Sequence, residues 1–205
     1  MQEYRILTYT ELPTDWSGVP CAAIDQYAWS DAYVPTAYAQ LIKIEGYGFA
    51  LRMVCREKDP RAVYTEYNQP VYTDSCLEFF AIWDNASDKY LNMEMNARGT
   101  LLSCVGKDRY ERIPTLDACG ELPAVQGFVG ADEWGIVARI PFSVIAGVYG
   151  IGADAFVSGY AFTGNFYKCG DDTAVPHYGS WSRVGTEKPD FHRPECFVEF
   201  VLEDF

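Results

Sequence analysis

Two glutamates, Glu78 and Glu94, flank a polar break in the stretch from Pro70 to Thr100, and the residues around them could meet a polar ligand. Asn92 and Asn96 alternate with Glu94, Arg98 follows, and Tyr72 precedes Glu78. A carboxylate accepts hydrogen bonds, a guanidinium donates them, and an amide does both. Such a mixed set beside an aromatic ring suits a neutral polyol, whose hydroxyls need partners once they leave water. Two carboxylates on neighbouring strands are also the minimum equipment of a glycoside hydrolase. Paired acids are common without catalysis, however, and no hydrolase context accompanies them. Two structural readings compete. Asn92, Glu94 and Asn96 could form a solvated sheet face, and Glu78 could be held in an ion pair by Arg52 or Arg98.

A second chemically rich stretch runs through residues 165–194. It interleaves Asn165, Lys168, Asp171, Asp172, His177, Trp181, Asp190 and His192 with other aromatic residues and has no apolar periodicity. Long loops of this composition carry function more often than strands do, although such a loop also packs on its own rings. His177 and His192 are the two histidines and read as loop hydrogen-bonders rather than zinc ligands. The seven cysteines are Cys21, Cys55, Cys76, Cys104, Cys119, Cys169 and Cys196. Their odd count, wide spacing and lack of a Cys-x-x-Cys pair argue against a zinc site or a disulfide framework. They are expected to be reduced and buried as small apolar residues. No nucleophile elbow, phosphate loop or dinucleotide fingerprint is present.

The elements that must position these residues are short strands. In the opening stretch Leu77, Phe79 and Ala81 alternate with Cys76 and Glu78, and Leu91, Met93 and Met95 alternate with Asn92, Glu94 and Asn96. Residues 84–88, Asp-Asn-Ala-Ser-Asp, are turn chemistry, so the two runs are expected to be antiparallel neighbours with one greasy and one polar face. Further strands are expected at 39–44, 48–56, 101–105, 125–130, 133–140, 155–163 and 197–202. Residues 2–38 read as an irregular wrap with at most one short strand, 106–121 as an exposed loop, and 141–145 as a single helical turn after Pro141. No long stretch has helical period. The pattern predicts an all-β, antiparallel, jelly-roll-like β-sandwich with long loops, forming one domain over residues 1–205.

Bulk composition narrows the partners. With 49% hydrophobic residues the chain can fill a core, and 16% aromatics suit strands or a ring-lined ligand surface. The net charge of −13, with no basic run, excludes nucleic acid and anionic membrane as expected partners. No apolar run reaches the length of a membrane span. Met1-Gln2-Glu3-Tyr4-Arg5 lacks the basic-then-apolar pattern of a signal peptide. A cytoplasmic location is therefore expected, or an extracellular one if the chain was trimmed. Nothing in the sequence sets an oligomeric state.

Taken in order, the runs Val71–Phe80, Tyr90–Thr100, Ile140-Pro141-Phe142, Asn165–Gly170 and Pro189–Pro194 resemble the carbohydrate-binding module family 9-like domain, from about Trp16 onward. The resemblance implies a β-sandwich that binds a saccharide, such as a chain end, without catalysis of its own. In the family's best understood modules the end sugar lies between two aromatic rings, and polar groups on adjacent strands hold its hydroxyls. Tyr72 matches the first ring, where those modules have Trp, and Trp181 is the nearest match to the second. Glu78, Asn96 and Arg98 match the strand polar groups. Asn92, Glu94 and Lys168 complete the expected ligand-binding set. No cofactor or catalytic metal is expected. The resemblance allows a structural calcium at Asp171, Asp172 or backbone carbonyls, although the ordered Asp/Asn spacing of a calcium loop is absent. The alternatives are an interaction or structural β-sandwich that has lost its sugar, or a hydrolase using Glu78 and Glu94.

Overall fold

The computed structural model describes residues 2–30 and 32–203. Met1, Asp31, Asp204 and Phe205, which the expected 1–205 domain includes, lie outside the described residues. The strands are β1 (Glu3–Tyr9), β2 (Ala22–Ile24), β3 (Thr36–Ile44), β4 (Gly48–Arg56), β5 (Cys76–Ile82), β6 (Tyr90–Asn96) and β7 (Leu101–Gly106). They continue with β8 (Arg112–Pro114), β9 (Ala124–Val129), β10 (Trp134–Pro141), β11 (Ala161–Cys169), β12 (Tyr178–Ser180) and β13 (Val198–Glu203). Two short helices, α1 (Thr115–Cys119) and α2 (Phe142–Tyr149), complete the regular structure together with three single turns of 3-10 helix.

Among the described residues these strands form one curled sheet in the order β8-β7-β6-β5-β11-β13-β1-β3-β4-β10-β9, with β12 added to β11 and β2 to β3. The two halves fold toward each other over a shared apolar core. Leu77, Phe79 and Met93 from one half meet Leu41, Phe49, Met53 and Ile136 from the other. Aromatic residues fill the middle, with Trp83 stacked on Phe162 at 4.3 Å between ring centres and Phe162 stacked on Phe200 at 5.3 Å. The β-rich architecture with little helix agrees with the sequence.

The expectation of purely antiparallel pairing is corrected. β1 runs parallel to both of its neighbours, β13 and β3, so the sheet is mixed. β1 lies within the segment expected to be irregular. Its alternation is short, with Tyr4 and Ile6 buried, and the Pro- and Gly-bearing residues after it mask the signal. The strand expected at 155–163 is also displaced. Residues 153–155 form a 3-10 turn, Gly159 bends the chain at φ 82, and β11 starts at Ala161. From there the strand runs to Cys169, because β5 and β13 offer it a continuous ladder. The loop expected at 106–121 contains β8 and α1, and the single turn after Pro141 extends to the eight residues of α2.

Gly48 opens β4 with φ 146, a conformation that L side chains rarely adopt, and a Cβ there would collide with the backbone carbonyl of Ile140 on β10. Substitution meets both backbone strain and overlap with immobile atoms. Gly48→Ala is expected to lower stability by about 2 kcal/mol or more. The midpoint of urea unfolding against wild type measures it.

Candidate functional site

The outward face of the β5–β6–β11 half carries the expected polar residues, but loops cover part of it. Phe191, from the loop before β13, stacks on Tyr167 of β11 at 4.2 Å with an interplanar angle of 17°. His192 packs on Phe80 at 5.0 Å, and its Nδ1 pairs with the Tyr90 hydroxyl at 2.7 Å. Val71, Leu102, Val184 and Phe191 complete a second apolar layer over this face. The uncovered remainder is a cleft of about 430 Å³, a volume within the range of small-ligand sites.

Glu78 and Glu94 form its floor. They are direct register partners on β5 and β6, and Glu78 is also opposite Tyr167 on β11. Both side chains are almost fully buried. Asn92 donates from Nδ2 to Glu94 Oε1 at 3.1 Å, and Arg112 Nη1 lies 3.5 Å from the same oxygen. Arg112 also donates to Asn92 Oδ1 at 3.3 Å, so the amide and the guanidinium hold each other and the carboxylate. Glu78 has a weaker partner, the Cys169 thiol, with Sγ 2.9 Å from Oε1. Neither Arg52 nor Arg98 approaches it. Arg52 bonds Tyr38 and Gln40 in the other half of the sheet.

The cleft walls come from four separate segments. Tyr72 lies in a 3-10 turn before β5, and Arg109 and Arg112 come from the β7–β8 hairpin. Asp171 and Tyr178 flank the β11–β12 turn, and residues 188–192 come from the C-terminal loop. Asp108 Oδ1 accepts from the backbone N–H groups of Tyr110 and Glu111, which tightens the hairpin. Arg109 then reaches Asp190 at 3.0 Å and ties hairpin to loop across the cleft.

Burial dominates the electrostatics. It pushes the Glu94 carboxyl up to about 7 against the pull of Arg112. Burial, and then the neighbouring Glu94, raises Glu78 well above the usual carboxylate range. Asp171 is raised by burial as well. His192 is held down at about 3 by burial and by Arg112 and Arg109, so it is a neutral ring at ordinary pH.

Of the residues expected from sequence, Tyr72, Glu78 and Glu94 line the cleft. Asn92 lies beneath it and bonds the floor. The others are placed elsewhere. Trp181 does not face Tyr72. It is buried in the main core among Tyr4, Phe166 and Phe200, because its backbone N–H bonds Phe166 O and the ring turns inward with that residue. Lys168 is fully buried on the opposite side of β11, as strand alternation demands of a residue between Tyr167 and Cys169. Its Nζ contacts His177 Nε2 at 2.6 Å and Glu57 at 3.4 Å, over the Trp134 ring. Asn96 is consumed by structure. It donates to Tyr64 O and Asp74 Oδ2 and accepts from the Arg98 and Thr100 N–H groups. Arg98 is exposed and bonds Ala62 O at 2.7 Å. Both histidines form hydrogen bonds from loops, His177 through Nδ1 to Val175 O and His192 through Nδ1 to the Tyr90 hydroxyl.

Arg109, Arg112, Tyr178 and Asp190 also line the cleft without being expected ligand residues, and Asp171 is expected only as a calcium ligand. Residues 108–112 fall in the stretch expected to be an exposed loop, and their charges give no local sign that Arg112 turns onto the cleft floor. Two cysteines far apart in the chain are neighbours in the sheet. Register places Cys76 directly opposite Cys169, and the structure holds all seven cysteines as free thiols, with Cys21 exposed rather than buried.

The sequence signature of carbohydrate-binding family 9 matches residues 12–202, and the chain belongs to that family. Among solved structures it is similar to a candidate carbohydrate-binding protein from Bacteroides uniformis ATCC 8492, with 26% identity, a TM-score of 0.79, and coverage of 98% of this chain and 99% of the other. It also shares its fold with a carbohydrate binding module family 9 from Caldicellulosiruptor kristjanssonii. The structure of that module in complex with glucose is 11% identical, with a TM-score of 0.69 over 100% of this chain and 97% of the module. A family 9 structure from the same organism in complex with cellotriose is 10% identical, with a TM-score of 0.68 over 100% of this chain and 95% of the other. No curated protein sequence matches. No helix among the described residues is long and apolar enough to cross a membrane.

Glu94 gives the site a pH signature. Its folded carboxyl titrates near 7, above the ordinary value of 4.5. The stability it lends is therefore complete below about pH 4.5 and lost as pH rises through 7. The buried histidines tilt the wild type the other way below pH 6.5, so the comparison must be between variant and wild type. Glu94→Gln is expected to gain on the order of 1–3 kcal/mol relative to wild type between pH 5 and 8. Melting temperatures across that range check it.

Proposed function

We propose that this chain is a non-catalytic saccharide-binding unit whose site is the cleft over Glu78 and Glu94. The observation that carries the reading is the cleft itself. It has a buried floor of two acceptors, Glu78 and Glu94, a half-buried donor beside them in Arg112, and aromatic walls at Tyr72 and Tyr178. Sugar rings present flat C–H patches that desolvate well against an aromatic face, and their hydroxyls then require fixed partners. Tyr72 is 38% exposed and therefore free to take a ring. Tyr178, rather than Trp181, is the second aromatic wall in this reading. Family membership supports a saccharide over other polyols. The acidic balance of −13 supports a neutral sugar over a polyanion, whether nucleic acid or membrane surface. We read the β-rich unit as a single domain of sandwich type, the two facing halves of the curled sheet being its layers.

Calorimetry with glucose, cello-oligosaccharides and a wider panel of mono- and oligosaccharides tests this. Binding is expected at millimolar concentrations or below. Tyr72→Ala and Glu78→Gln should each weaken it by about tenfold or more, since each removes a ring face or a buried hydrogen bond. Trp181→Phe should lower the melting temperature and leave affinity unchanged. Absence of binding across the panel would favour the reading in which the fold persists as an interaction module. The register-paired carboxylates also support a hydrolase as a second reading. Its mark would be turnover of chromogenic glycosides that disappears in Glu78→Gln, and no turnover is expected.

A further inference from the structure

The floor of the cleft holds two thiols that saccharide binding does not use, converging on a carboxylate, Glu78, that it does. Cys76 on β5 is the register partner of Cys169 on β11, and Glu78, two residues along β5, projects from the same face. The two sulfurs and a Glu78 carboxylate oxygen all lie within 4.8 Å of one another. All three side chains are buried. Among the described residues no cation forms an ion pair with Glu78, because Arg112 pairs with Glu94 instead. The hydrogen bonding is also incomplete. Cys169 has one S–H, yet its sulfur faces two acceptors, Glu78 Oε1 at 2.9 Å and Tyr72 O at 3.4 Å. Two sulfurs and a carboxylate converging in one buried spot, without a cation, match the ligand preferences of a thiophilic divalent metal.

We propose that Cys76 Sγ, Cys169 Sγ and Glu78 form a three-ligand site for a thiophilic divalent cation of the zinc class, with its fourth position open to the cleft. Tetrahedral zinc with two sulfur ligands and one oxygen ligand brings its donors to roughly 3.3–3.8 Å apart, so the 2.9 Å contact between Cys169 Sγ and Glu78 Oε1 must open by a few tenths of an ångström, and no separation in the cluster exceeds 4.8 Å. Calcium is disfavoured because hard cations take oxygen ligands. Glu78 and Cys169 line the cleft while Cys76 lies behind them, so one side of the ion faces the cavity. Three protein ligands with one open position are the arrangement in which a metal meets water or a ligand hydroxyl. On binding, each thiol forms its sulfur–metal bond as a thiolate and passes its proton to solvent, and Glu78 binds as a carboxylate and gives up any proton it carries, so one ion displaces two thiol protons and up to one carboxyl proton. The inference does not depend on the saccharide reading.

The test uses Cd²⁺ as the probe, titrated into the reduced full chain in the presence of a phosphine reductant. One equivalent should bind, with a near-ultraviolet thiolate-to-metal charge-transfer band and the release of about two to three protons into weak buffer, two from the thiols and the remainder from Glu78. Cys76→Ser and Cys169→Ser should each weaken binding by more than roughly a hundredfold, beyond the cost of losing an outer-shell contact. Cys21→Ser and Cys196→Ser should leave it unchanged. Glu78→Gln keeps both thiols, so it should retain the band while binding the ion more weakly. This variant decides the question if a serine variant fails to fold. Absence of the band in the folded wild type, or its persistence in folded Cys76→Ser and Cys169→Ser, would overturn the proposal. So would Glu78→Gln binding Cd²⁺ as tightly as wild type. Saccharide affinity is measured in parallel without metal, so failure of either reading is seen separately.

Discussion

The candidate site depends on the register of three strands. Pairing β6, β5 and β11 as observed places Glu94 opposite Glu78, Glu78 opposite Tyr167, and Cys76 between Asn96 and Cys169. Side chains alternate with a period of two, so a slip of one residue would turn both glutamates into the apolar core and expose Phe79 and Met93. The core therefore enforces the site. Burial of Leu77, Phe79, Leu91 and Met93 on one face fixes which residues face the cleft on the other.

That arrangement costs free energy, and the structure shows how the cost is limited. Two buried carboxyls side by side disfavour ionisation of both, and a single guanidinium, Arg112, is shared between Glu94 and Asn92. Asp74 provides a contrast a few residues away. It is equally buried, but it accepts from Arg61, from the Val63 and Tyr64 N–H groups and from Asn96, so its bonds are satisfied internally. One acid is consumed by the fold, while the other two keep acceptor capacity facing a cavity. A binding surface needs that capacity, because a floor already saturated within the protein has nothing left for a ligand.

The polar face was legible from alternation alone, and three of the expected residues, Tyr72, Glu78 and Glu94, do line the cleft. Lys168 and Trp181 were not legible. Their positions follow from which side of β11 faces the core and from how the chain turns after β12, and neither can be read from a run of mixed aromatic and polar residues. Asn96 and Arg98 have suitable side chains for a ligand, but the turn between β6 and β7 uses them first. Arg112 was hidden for the opposite reason. It lies in a charged excursion that looks solvated until β8 pairs with β7 and swings the guanidinium over Glu94.

The sequence by itself determined the β-rich class, the separation of greasy and polar faces, and the identity of the floor carboxylates, because a strand's alternation is a local property set by backbone geometry. Tertiary structure alone decided that β1 enters the sheet between two parallel neighbours, that the C-terminal loop seals part of the polar face and leaves a cleft, and that Cys76 meets Cys169. Those outcomes depend on contacts between residues far apart in the chain. Such contacts are selected by the burial of the whole core, and no local pattern of residues encodes them.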